Sequence, residues 1–458
     1  MIEQNQNIIN QEYQDQMTYK YERKIQDGNL VIGNQFYRDL EVINMRFLEK
    51  FNIQTLMLYI TNSMSLKFKS ETIKELTLKL PFQKAYKFQN LIVDDLELEN
   101  LEVLLFQDGN QLINDCLYNL AKFKKLHTLD ISCNNVDLTH IHNVLSLTKL
   151  SMRLCRLKNI DQITSLINLE NLDLSANEDI DINALCKVKS LIKLNISECN
   201  LQQIDQIGSL TNLEVLDVSL NELLKIDSIS QLVNLKELII TQNTNIDIAP
   251  LQYLVGLIKL DLNSCGLRQL SALKSLTNLQ ILFLSFNDSI DITELQYLKN
   301  LTHLYLNKCN LASIYVLSPL TDLKKLIIGY NKIVHLNINF SRFTQLETLR
   351  VEGNLINDFT PLKNLDIFHE SDQQRCFDLS KQRTPSQEEL HVASQMKLVE
   401  SPNFQLIEIQ NIRKTLKNIF NEFQNKINAV SNKANSNNAK FISSVVRLFQ
   451  QLDQYVSQ

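Results

Sequence analysis

The stretch LIKLNISECNLQQIDQIGSLTN, residues 191–212, is one unit of a pattern that recurs along the middle of the chain. Its first nine residues follow Leu-x-x-Leu-x-Leu-x-x-(Asn or Cys), with other apolar residues sometimes replacing Leu, and the motif occurs eleven times between residues 126 and 354. Motif position 9 recurs at a step of 21, then eight steps of 22, then one of 23, and is occupied by Asn134, Cys155, Asn177, Cys199, Asn221, Asn243, Cys265, Asn287, Cys309, Asn331 and Asn354. Each unit is too short to bury its own apolar residues, so the units must stack on one another.

The spacing of apolar residues predicts how each unit folds. Motif positions 4 and 6, such as Leu172 and Leu174, face inward on a short strand, so positions 3, 5 and 7 face outward. The rest of the unit has apolar residues three apart, as from Leu201 to Leu210, which suits short turns or 3₁₀ helix. We therefore predict an α/β solenoid, a right-handed arc with a parallel β-sheet on its concave side and 3₁₀ or turn segments on its convex side.

A second, longer period overlies the first. The sequences NEDIDINALCKVKSL from Asn177, NTNIDIAPLQYLVGL from Asn243 and NDSIDITELQYLKNL from Asn287 resemble one another, and each precedes a unit with Cys at position 9. This indicates that the array grew partly by copying pairs of units.

Looser copies of the motif precede the regular array, spaced 20 residues apart, at Ile53-x-x-Leu56-x-Leu58, Ile73-x-x-Leu76-x-Leu78 and Val93-x-x-Leu96-x-Leu98. The stretch 101–106 also fits the motif and overlaps the third copy, which leaves the register of residues 99–125 open. We predict degenerate repeats over residues 50–125 and regular repeats over residues 126–368.

The N-terminal segments differ in composition from the array. Residues 1–17 are rich in Asn and Gln, which is typical of disorder. Residues 18–49 contain Asp27-Gly28 between apolar residues, which predicts a tight hairpin turn. We interpret residues 18–49 as an N-terminal cap whose hairpin covers the first turn of the stack.

After a linker over residues 369–383, the pattern changes to that of helices. Thr384-Pro385-Ser386-Gln387 is a helix-start signature, and apolar residues follow at three- and four-residue steps. We predict an α-helical tail over residues 384–458, a helical hairpin or a coiled-coil segment. The tail is basic between residues 403 and 440. Two roles stay open for it: capping the stack or self-association, and binding a membrane surface or an acidic groove.

Bulk composition excludes several classes of protein. A formal charge of −5 gives no global basic field for nucleic acid. The first residues carry no secretory leader pattern, and no run approaches the roughly 18 apolar residues of a membrane span. These features predict a cytoplasmic protein without a nucleic-acid partner or a membrane span.

The cysteines at motif position 9 agree with a reducing compartment. Cys155, Cys199, Cys265 and Cys309 never occupy adjacent units. Strands lie about 4.8 Å apart, so these cysteines are separated by roughly 9 to 10 Å, beyond disulfide reach. The same separation excludes a shared zinc ion. We predict that they are small buried groups whose weak S–H donors replace the Asn side chain.

The outward column at motif position 5 changes character along the array. It is polar and acidic in its first half and apolar in its second, reading Asp130, Ser151, Asp173, Asn195, Asp217, Ile239, Asp261, Phe283, Tyr305, Ile327 and Arg350. Clustered outward aromatic groups are typical anchors of protein interfaces. We therefore predict a partner-binding site at Ile239, Asp261, Phe283, Phe286, His303, Tyr305, Ile327, Tyr330 and Arg350. The alternative is that aromatic and β-branched residues simply suit an exposed strand.

Four aspartates of this column, Asp130, Asp173, Asp217 and Asp261, form what we call the acidic row. Their spacing of about 10 Å is near the screening length of ordinary salt. The row is interpreted as a solvated face, and the alternative is that it steers a basic partner.

No pattern of catalytic, cofactor-binding or metal-ligating residues is found. The chain has no G-x-x-x-x-G-K-[ST] loop, no H-E-x-x-H and no G-x-S-x-G, and only eight glycines. His140 and His142 fall on a predicted convex segment without Cys or carboxylate partners at ligand spacing. We therefore predict a protein that is not an enzyme and needs no cofactor.

The unit that begins Leu191-Ile192-Lys193-Leu194 resembles the short leucine-rich repeats of protein phosphatase 1 regulatory subunits and of axonemal leucine-rich proteins. The Asn-rich composition and the tail also resemble the large leucine-rich repeat families of diplomonad protists. The resemblance covers about residues 50–368 and implies the solenoid fold. It also implies a narrower hypothesis, a regulatory subunit that binds a phosphatase catalytic subunit. A separate hypothesis is a cytoskeletal or flagellar structural protein that is joined to its assembly through the coiled-coil-like tail. Our leading hypothesis is a non-enzymatic scaffold that binds a protein partner on its concave face.

Overall fold

The computed structural model describes residues 25, 27–32, 42–45, 48, 50–59, 64–79, 91–92, 96–107, 120–356, 358–362 and 365. The predicted disordered segment 1–17, the linker 369–383 and the helical tail 384–458 lie outside these residues. Within them, no helix has the length and apolar character needed to cross a membrane.

A parallel sheet of fifteen strands follows the described residues from one end to the other, as the repeat predicts. Its strands, in spatial order, are β1 (Asn29–Ile32), β3 (Thr55–Tyr59), β5 (Glu75–Lys79), β8 (Val103–Gln107), β9 (Thr128–Asp130), β10 (Lys149–Ser151), β11 (Asn171–Asp173), β12 (Lys193–Asn195), β13 (Val215–Asp217), β14 (Glu237–Ile239), β15 (Lys259–Asp261), β16 (Ile281–Phe283), β17 (His303–Tyr305), β18 (Lys325–Ile327) and β19 (Thr348–Arg350). From β9 onward each strand contains motif positions 3 to 5 of one unit.

The register of this sheet stacks equivalent residues of successive units on one another. Leu172 in β11 pairs with Leu194 in β12, and Leu194 pairs with Leu216 in β13. Both motif position 4 and motif position 6 are buried, as Leu216 and Val218 show with no exposed surface. One continuous core therefore runs along the solenoid, in which deleting a leucine side chain would cost about 2–5 kcal/mol.

Short 3₁₀ helices return the chain on the convex side, which confirms the prediction from the three-residue spacing. They span Leu120–Lys122, Leu138–Asn143, Asp161–Ser165, Asn183–Lys187, Asp205–Ser209, Asp227–Gln231, Ala249–Tyr253, Ser271–Ser275, Thr293–Tyr297, Tyr315–Leu317, Phe340–Arg342 and Thr360–Leu362. Each packs apolar residues against the core, such as Ile207 with no exposed surface.

The first turns of the solenoid differ, because strands replace the 3₁₀ helices there. A second parallel sheet contains β2 (Val42–Asn44), β4 (Met64–Ser70), β6 (Leu91–Ile92) and β7 (Leu96–Leu98), and β4 connects β3 to β5 along the chain.

The order of the strands resolves the register that the sequence left open. The third loose copy supplies β7, which pairs with β4 in the second sheet, and the overlapping motif at 101–106 supplies β8 of the main sheet. The turn at Asp27-Gly28 is present, with φ of 49° and 78°. The strand after it, however, pairs in parallel with β3. β1 is thus the first strand of the concave sheet, so the strand after the predicted turn extends the stack instead of covering it.

Asn177 shows how the asparagines at position 9 join adjacent units. Its Nδ2 donates to the backbone carbonyls of Met152 (2.9 Å) and Leu174 (2.7 Å), and its Oδ1 accepts from the backbone N–H groups of Cys155 (3.0 Å) and Leu157 (3.1 Å). The same arrangement recurs at Asn221, Asn287 and Asn331. These buried side chains satisfy backbone groups that water does not reach.

The position 9 cysteines also bond backbone carbonyls of the preceding unit, which confirms the prediction that they are buried groups with S–H donors. All four are free and buried. Each thiol donates to a carbonyl of the preceding unit, as from Cys155 Sγ to Ile131 O (3.2 Å) and from Cys309 Sγ to Leu284 O (3.2 Å). Burial raises the pKa of the Cys155 and Cys309 thiols to about 12, so both remain protonated donors.

The longer period has a structural reason in the column of Asn and Cys residues at position 9, which we call the ladder. A thiol is a weaker acceptor than the carboxamide oxygen that receives two backbone N–H groups. The three similar sequences from Asn177, Asn243 and Asn287 each precede a cysteine unit. In them Asp179, Asn245 and Ser289 therefore adopt positive φ (58°, 62° and 77°). Their N–H groups then donate to the backbone carbonyl of the next unit's cysteine, at 3.2, 2.9 and 3.4 Å.

Candidate functional site

The predicted site residues at motif position 5 form one continuous row across six strands. The register places Ile239 beside Asp261, Asp261 beside Phe283, Phe283 beside Tyr305, Tyr305 beside Ile327 and Ile327 beside Arg350. The row therefore crosses the last six strands of the sheet, on the face opposite the leucine core.

Phe283 and Tyr305 are stacked on each other in the middle of this row. Their ring centroids are 4.3 Å apart and the ring planes differ by 15°. Lys325, on the strand beyond Tyr305, places its Nζ 5.3 Å from the centroid of the Tyr305 ring. Because β17 lies between β16 and β18, Phe283 and Lys325 approach Tyr305 from opposite sides. The three side chains form one stack of two rings and a cation.

A second cluster lies next to this stack, at motif position 8. Lys308 Nζ lies 5.1 Å from the centroid of the Phe286 ring and 5.5 Å from that of the Tyr330 ring, in the unit between them. Both rings remain open to solvent, with exposed fractions of 39% and 45%. We call Phe283, Phe286, Tyr305, Lys308, Lys325 and Tyr330 together the aromatic patch.

Motif position 8 also has an unusual backbone conformation. All eleven residues there have positive φ, between 53° and 69°: Cys133, Leu154, Ala176, Glu198, Leu220, Gln242, Ser264, Phe286, Lys308, Tyr330 and Gly353. Left-handed backbone costs about 1 kcal/mol or more for residues with a side chain. Gly353 has a further reason for being glycine, because a Cβ there would lie 2.6 Å from Cδ1 of Tyr330. The absence of a side chain at Gly353 makes room for the Tyr330 ring.

The other predicted site residues are placed less favourably for binding. Ile327 points outward by strand alternation but retains only 8% exposure, since it lies between the long side chains of Tyr305 and Arg350. Ile239 is half-buried, and His303 Nδ1 lies 2.9 Å from Thr302 Oγ1. Arg350 is exposed. The sequence did not predict Lys308 and Lys325, whose ammonium groups contact the aromatic rings directly.

The acidic row is not the solvated face that the sequence suggested. Asp173 and Asp217 are half-buried, and each accepts hydrogen bonds from the backbone N–H and hydroxyl two residues on, Ser175 (2.9 and 2.6 Å) and Ser219 (2.9 and 2.6 Å). These carboxylates therefore fix the turn that follows their own strand.

Asp261, a predicted site residue, is engaged in the same way. It accepts from the Thr241 hydroxyl (2.6 Å) and from the backbone N–H of Asn263 (3.0 Å). Burial raises the pKa of Asp261 and of Asp217 above the ordinary value. The carboxylate of Asp261 therefore belongs with the acidic row rather than with the aromatic patch.

No three His, Cys, Asp or Glu side chains of the described residues gather in a way that could hold a metal ion. A shallow, open depression of about 510 Å³ lies beside the amino-terminal ends of β15 to β17, lined by Gly256, Asn278, Thr302 and Asp322 among others, and no residue of the aromatic patch lines it. The depression is not an enclosed small-molecule site.

Solved structures share this architecture. An internalin from Listeria monocytogenes is 26% identical over 59% of this chain and 80% of its own, with a TM-score of 0.54. The chain has the leucine-rich repeat fold. A leucine-rich repeat protein from Leptospira interrogans is 21% identical, covers 75% of this chain and 92% of its own, and has a TM-score of 0.50. No family model matches the sequence, and no curated protein matches it. The narrower resemblance to phosphatase regulatory subunits stays a prediction.

Proposed function

We propose that this leucine-rich repeat protein is a non-enzymatic scaffold that binds a protein partner through the aromatic patch. Leucine-rich repeats place outward side chains on a rigid parallel sheet, so a partner meets a preformed surface. Eleven strands at about 4.8 Å span about 50 Å, enough to hold a folded domain.

The observation that carries the proposal is the exposure of Phe286 and Tyr330. Phe283 and Tyr305 can be explained without a partner, because neighbouring aromatic residues stabilise adjacent strands. That explanation fails for Phe286 and Tyr330, since position 8 lies beyond the strand and in left-handed backbone. Large apolar side chains held open at such a position gain nothing from strand propensity, whereas aromatic anchors at a protein interface contribute strongly to binding.

Affinity capture with a matched pair of variants tests this function. The immobilised full chain retains proteins from a lysate, which mass spectrometry identifies, and the double variant Phe286→Ala/Tyr330→Ala should lose specific partners. Leu220→Ala is the control, because Leu220 also occupies position 8, has positive φ and is 44% exposed, but lies outside the patch.

Thermal unfolding must accompany the capture experiment, so that loss of binding is separated from loss of folding. Ile327→Asp is unsuitable as a binding variant, because placing a carboxylate at this buried position would itself destabilise the fold. Equal capture by the wild-type chain and by the folded double variant would refute the proposed function.

A further inference from the structure

We infer that the aromatic patch binds an acidic segment of its protein partner, rich in aspartate and glutamate and carrying an apolar anchor. This inference rests on the proposed function, since it names the chemistry of the partner for the same surface.

The first argument comes from what already covers the ring faces. Lys325 lies over Tyr305 and Phe283 stacks on the other side of that ring, while Lys308 lies over Phe286 and Tyr330. The face of an aromatic ring carries negative charge and its edge carries positive charge. With cations and a second ring on their faces, these rings offer positive edges and neighbouring ammonium groups to an incoming ligand. Such a surface attracts carboxylates.

The charges around the patch point to the same kind of ligand. Arg350 lies beyond Ile327 on the next strand, and neither it nor Lys325 forms an ion pair with any described residue. Glu352 is the carboxylate at the outward positions of β16 to β19, and Asp288 lies in the turn after β16. Most outward carboxylates lie on the earlier units instead: Asp130, Asp173, Glu198, Asp217, Glu237 and Asp261.

This distribution would orient an acidic partner along the concave surface. Two of these carboxylates form ion pairs, Glu198 with Arg153 at 3.3 Å and Glu237 with Lys259 at 2.5 Å, which leaves the four aspartates of the acidic row as the carboxylates without an ion pair to a described residue. An acidic segment is therefore repelled by the earlier units and attracted to the aromatic patch. The exposed parts of Phe286 and Tyr330 then supply apolar contact for a leucine or phenylalanine of that segment.

A single-stranded nucleic acid is also anionic, but the geometry disfavours it. Such ligands gain most of their base contacts by stacking on open aromatic faces. In the aromatic patch Lys308 lies over Phe286 and Tyr330, and Tyr305 is covered by Lys325 and by the Phe283 ring. A base that stacked on these covered faces would have to displace a cation or a ring, whereas a carboxylate can bind to the cation in place.

Fluorescence anisotropy with the full chain tests the inference. The probes are a labelled peptide of aspartate and glutamate with one central leucine, a matched peptide of lysine and arginine with the same leucine, and an oligouridine. The acidic peptide should bind most tightly, and its affinity should fall as salt rises, because the attraction is electrostatic.

Charge variants locate the binding on the surface. Lys325→Met and Lys308→Glu should each weaken binding of the acidic peptide, by about tenfold for the charge reversal. Lys193→Glu is the matched control. Lys193 lies on β12 and, like Lys325, occupies motif position 3. Its replacement by Glu changes the net charge as much as Lys308→Glu does. It should leave the affinity nearly unchanged.

Three results would overturn the inference: tighter binding of the basic peptide or the oligouridine, no binding of the acidic peptide, or an equal loss with Lys193→Glu. None of these results refutes the proposed function, which fails only if Phe286→Ala/Tyr330→Ala captures the same proteins as the wild-type chain. The two experiments therefore fail separately.

Discussion

The earlier units and the aromatic patch use one backbone for two different surfaces. In the earlier units, outward polar groups are satisfied within the chain, as where Asp173 binds Ser175 and Arg153 reaches both Ser175 (2.9 Å) and Glu198 (3.3 Å). In the aromatic patch, outward side chains contact one another through rings and cations and remain partly exposed. The repeat thus determines the scaffold, whereas hydrogen bonds and ion pairs among outward groups determine which part of the surface is available to a partner.

Removal of a buried position 9 asparagine from each region tests whether the scaffold itself is the same in both. Asn177→Ala and Asn287→Ala each remove a buried side chain that bonds two carbonyls and two N–H groups of adjacent units. Since each orphaned buried group costs roughly 1–3 kcal/mol and four are orphaned, both variants should lose at least about 4 kcal/mol of unfolding free energy. Urea-induced unfolding followed by circular dichroism measures this loss.

Asn168→Ala is the control for the ladder variants. Asn168 is an exposed asparagine that donates one bond, to Leu145 O at 3.0 Å, so its removal should cost less than about 1 kcal/mol. A clearly larger loss for one ladder asparagine than for the other would contradict a common scaffold.

Gly353→Ala should have a smaller effect on stability, and it should act on the aromatic patch but not on the earlier units. Gly353→Ala places a Cβ in left-handed backbone and against the Tyr330 ring, at a distance that the ring must relieve by moving. We expect a loss of about 2 kcal/mol in unfolding free energy, together with weaker capture of the partner.

Ser264→Ala is the matched control for Gly353→Ala. Ser264 has φ of 56° at the same motif position and already carries a Cβ, so the substitution should change stability by less than about 0.5 kcal/mol. Unchanged capture by Gly353→Ala, despite its lower stability, would show that the position of the Tyr330 ring does not matter for binding.

The sequence predicted the strands and the convex 3₁₀ helices because apolar spacing encodes both directly. It could not predict the left-handed residue at position 8, because Leu154, Lys308 and Tyr330 stand where glycine would have signalled it. One signal was available, since no Val, Ile or Thr occupies that column, and β-branched side chains tolerate positive φ least. The register near residues 99–125 needed the strand pairing, since two overlapping motifs fit equally well.

For the candidate site, the sequence predicted the aromatic residues but missed the cations. Lys308 and Lys325 belong to positions 8 and 3, and only the distances between these columns and the rings reveal the contacts. Ile327 was wrongly expected to be accessible, because strand alternation gives the direction of a side chain but not the size of its neighbours. Asp261 was grouped with the patch by its column, although its hydrogen bonds group it with the acidic row.

A weaker effect concerns Asp217 of the acidic row and the dependence of stability on pH. Burial raises the pKa of Asp217 above its ordinary value of 3.8, although hydrogen bonds from Ser219 act in the opposite direction. The folded state therefore holds this proton at pH values where the unfolded chain has lost it. Stability contributed by Asp217 is present at low pH and is lost as pH rises through its folded pKa.

Asp217→Asn should remove this loss, because an amide does not ionise. The chain contains a precedent in the same column, since Asn195 Oδ1 accepts from the Ser197 N–H (3.0 Å) and hydroxyl (2.7 Å) as Asp217 does from Ser219. The variant should unfold at a higher urea concentration at neutral pH, with a gain of at most about 1 kcal/mol after allowance for partial exposure. The gain should shrink as pH falls toward 3.8.

Asp291→Asn should show the opposite trend and serves as the control. Hydrogen bonds from the Thr293 hydroxyl and N–H lower the pKa of this exposed carboxylate, so its contribution to stability is present above the unfolded pKa and is lost as pH falls. If the two variants shifted stability in the same direction across pH, the burial of Asp217 would not be the cause. Opposite trends would show that burial penalises the charged form of Asp217 inside the scaffold, a cost that a basic partner could relieve only by reaching a carboxylate already bonded to its own turn.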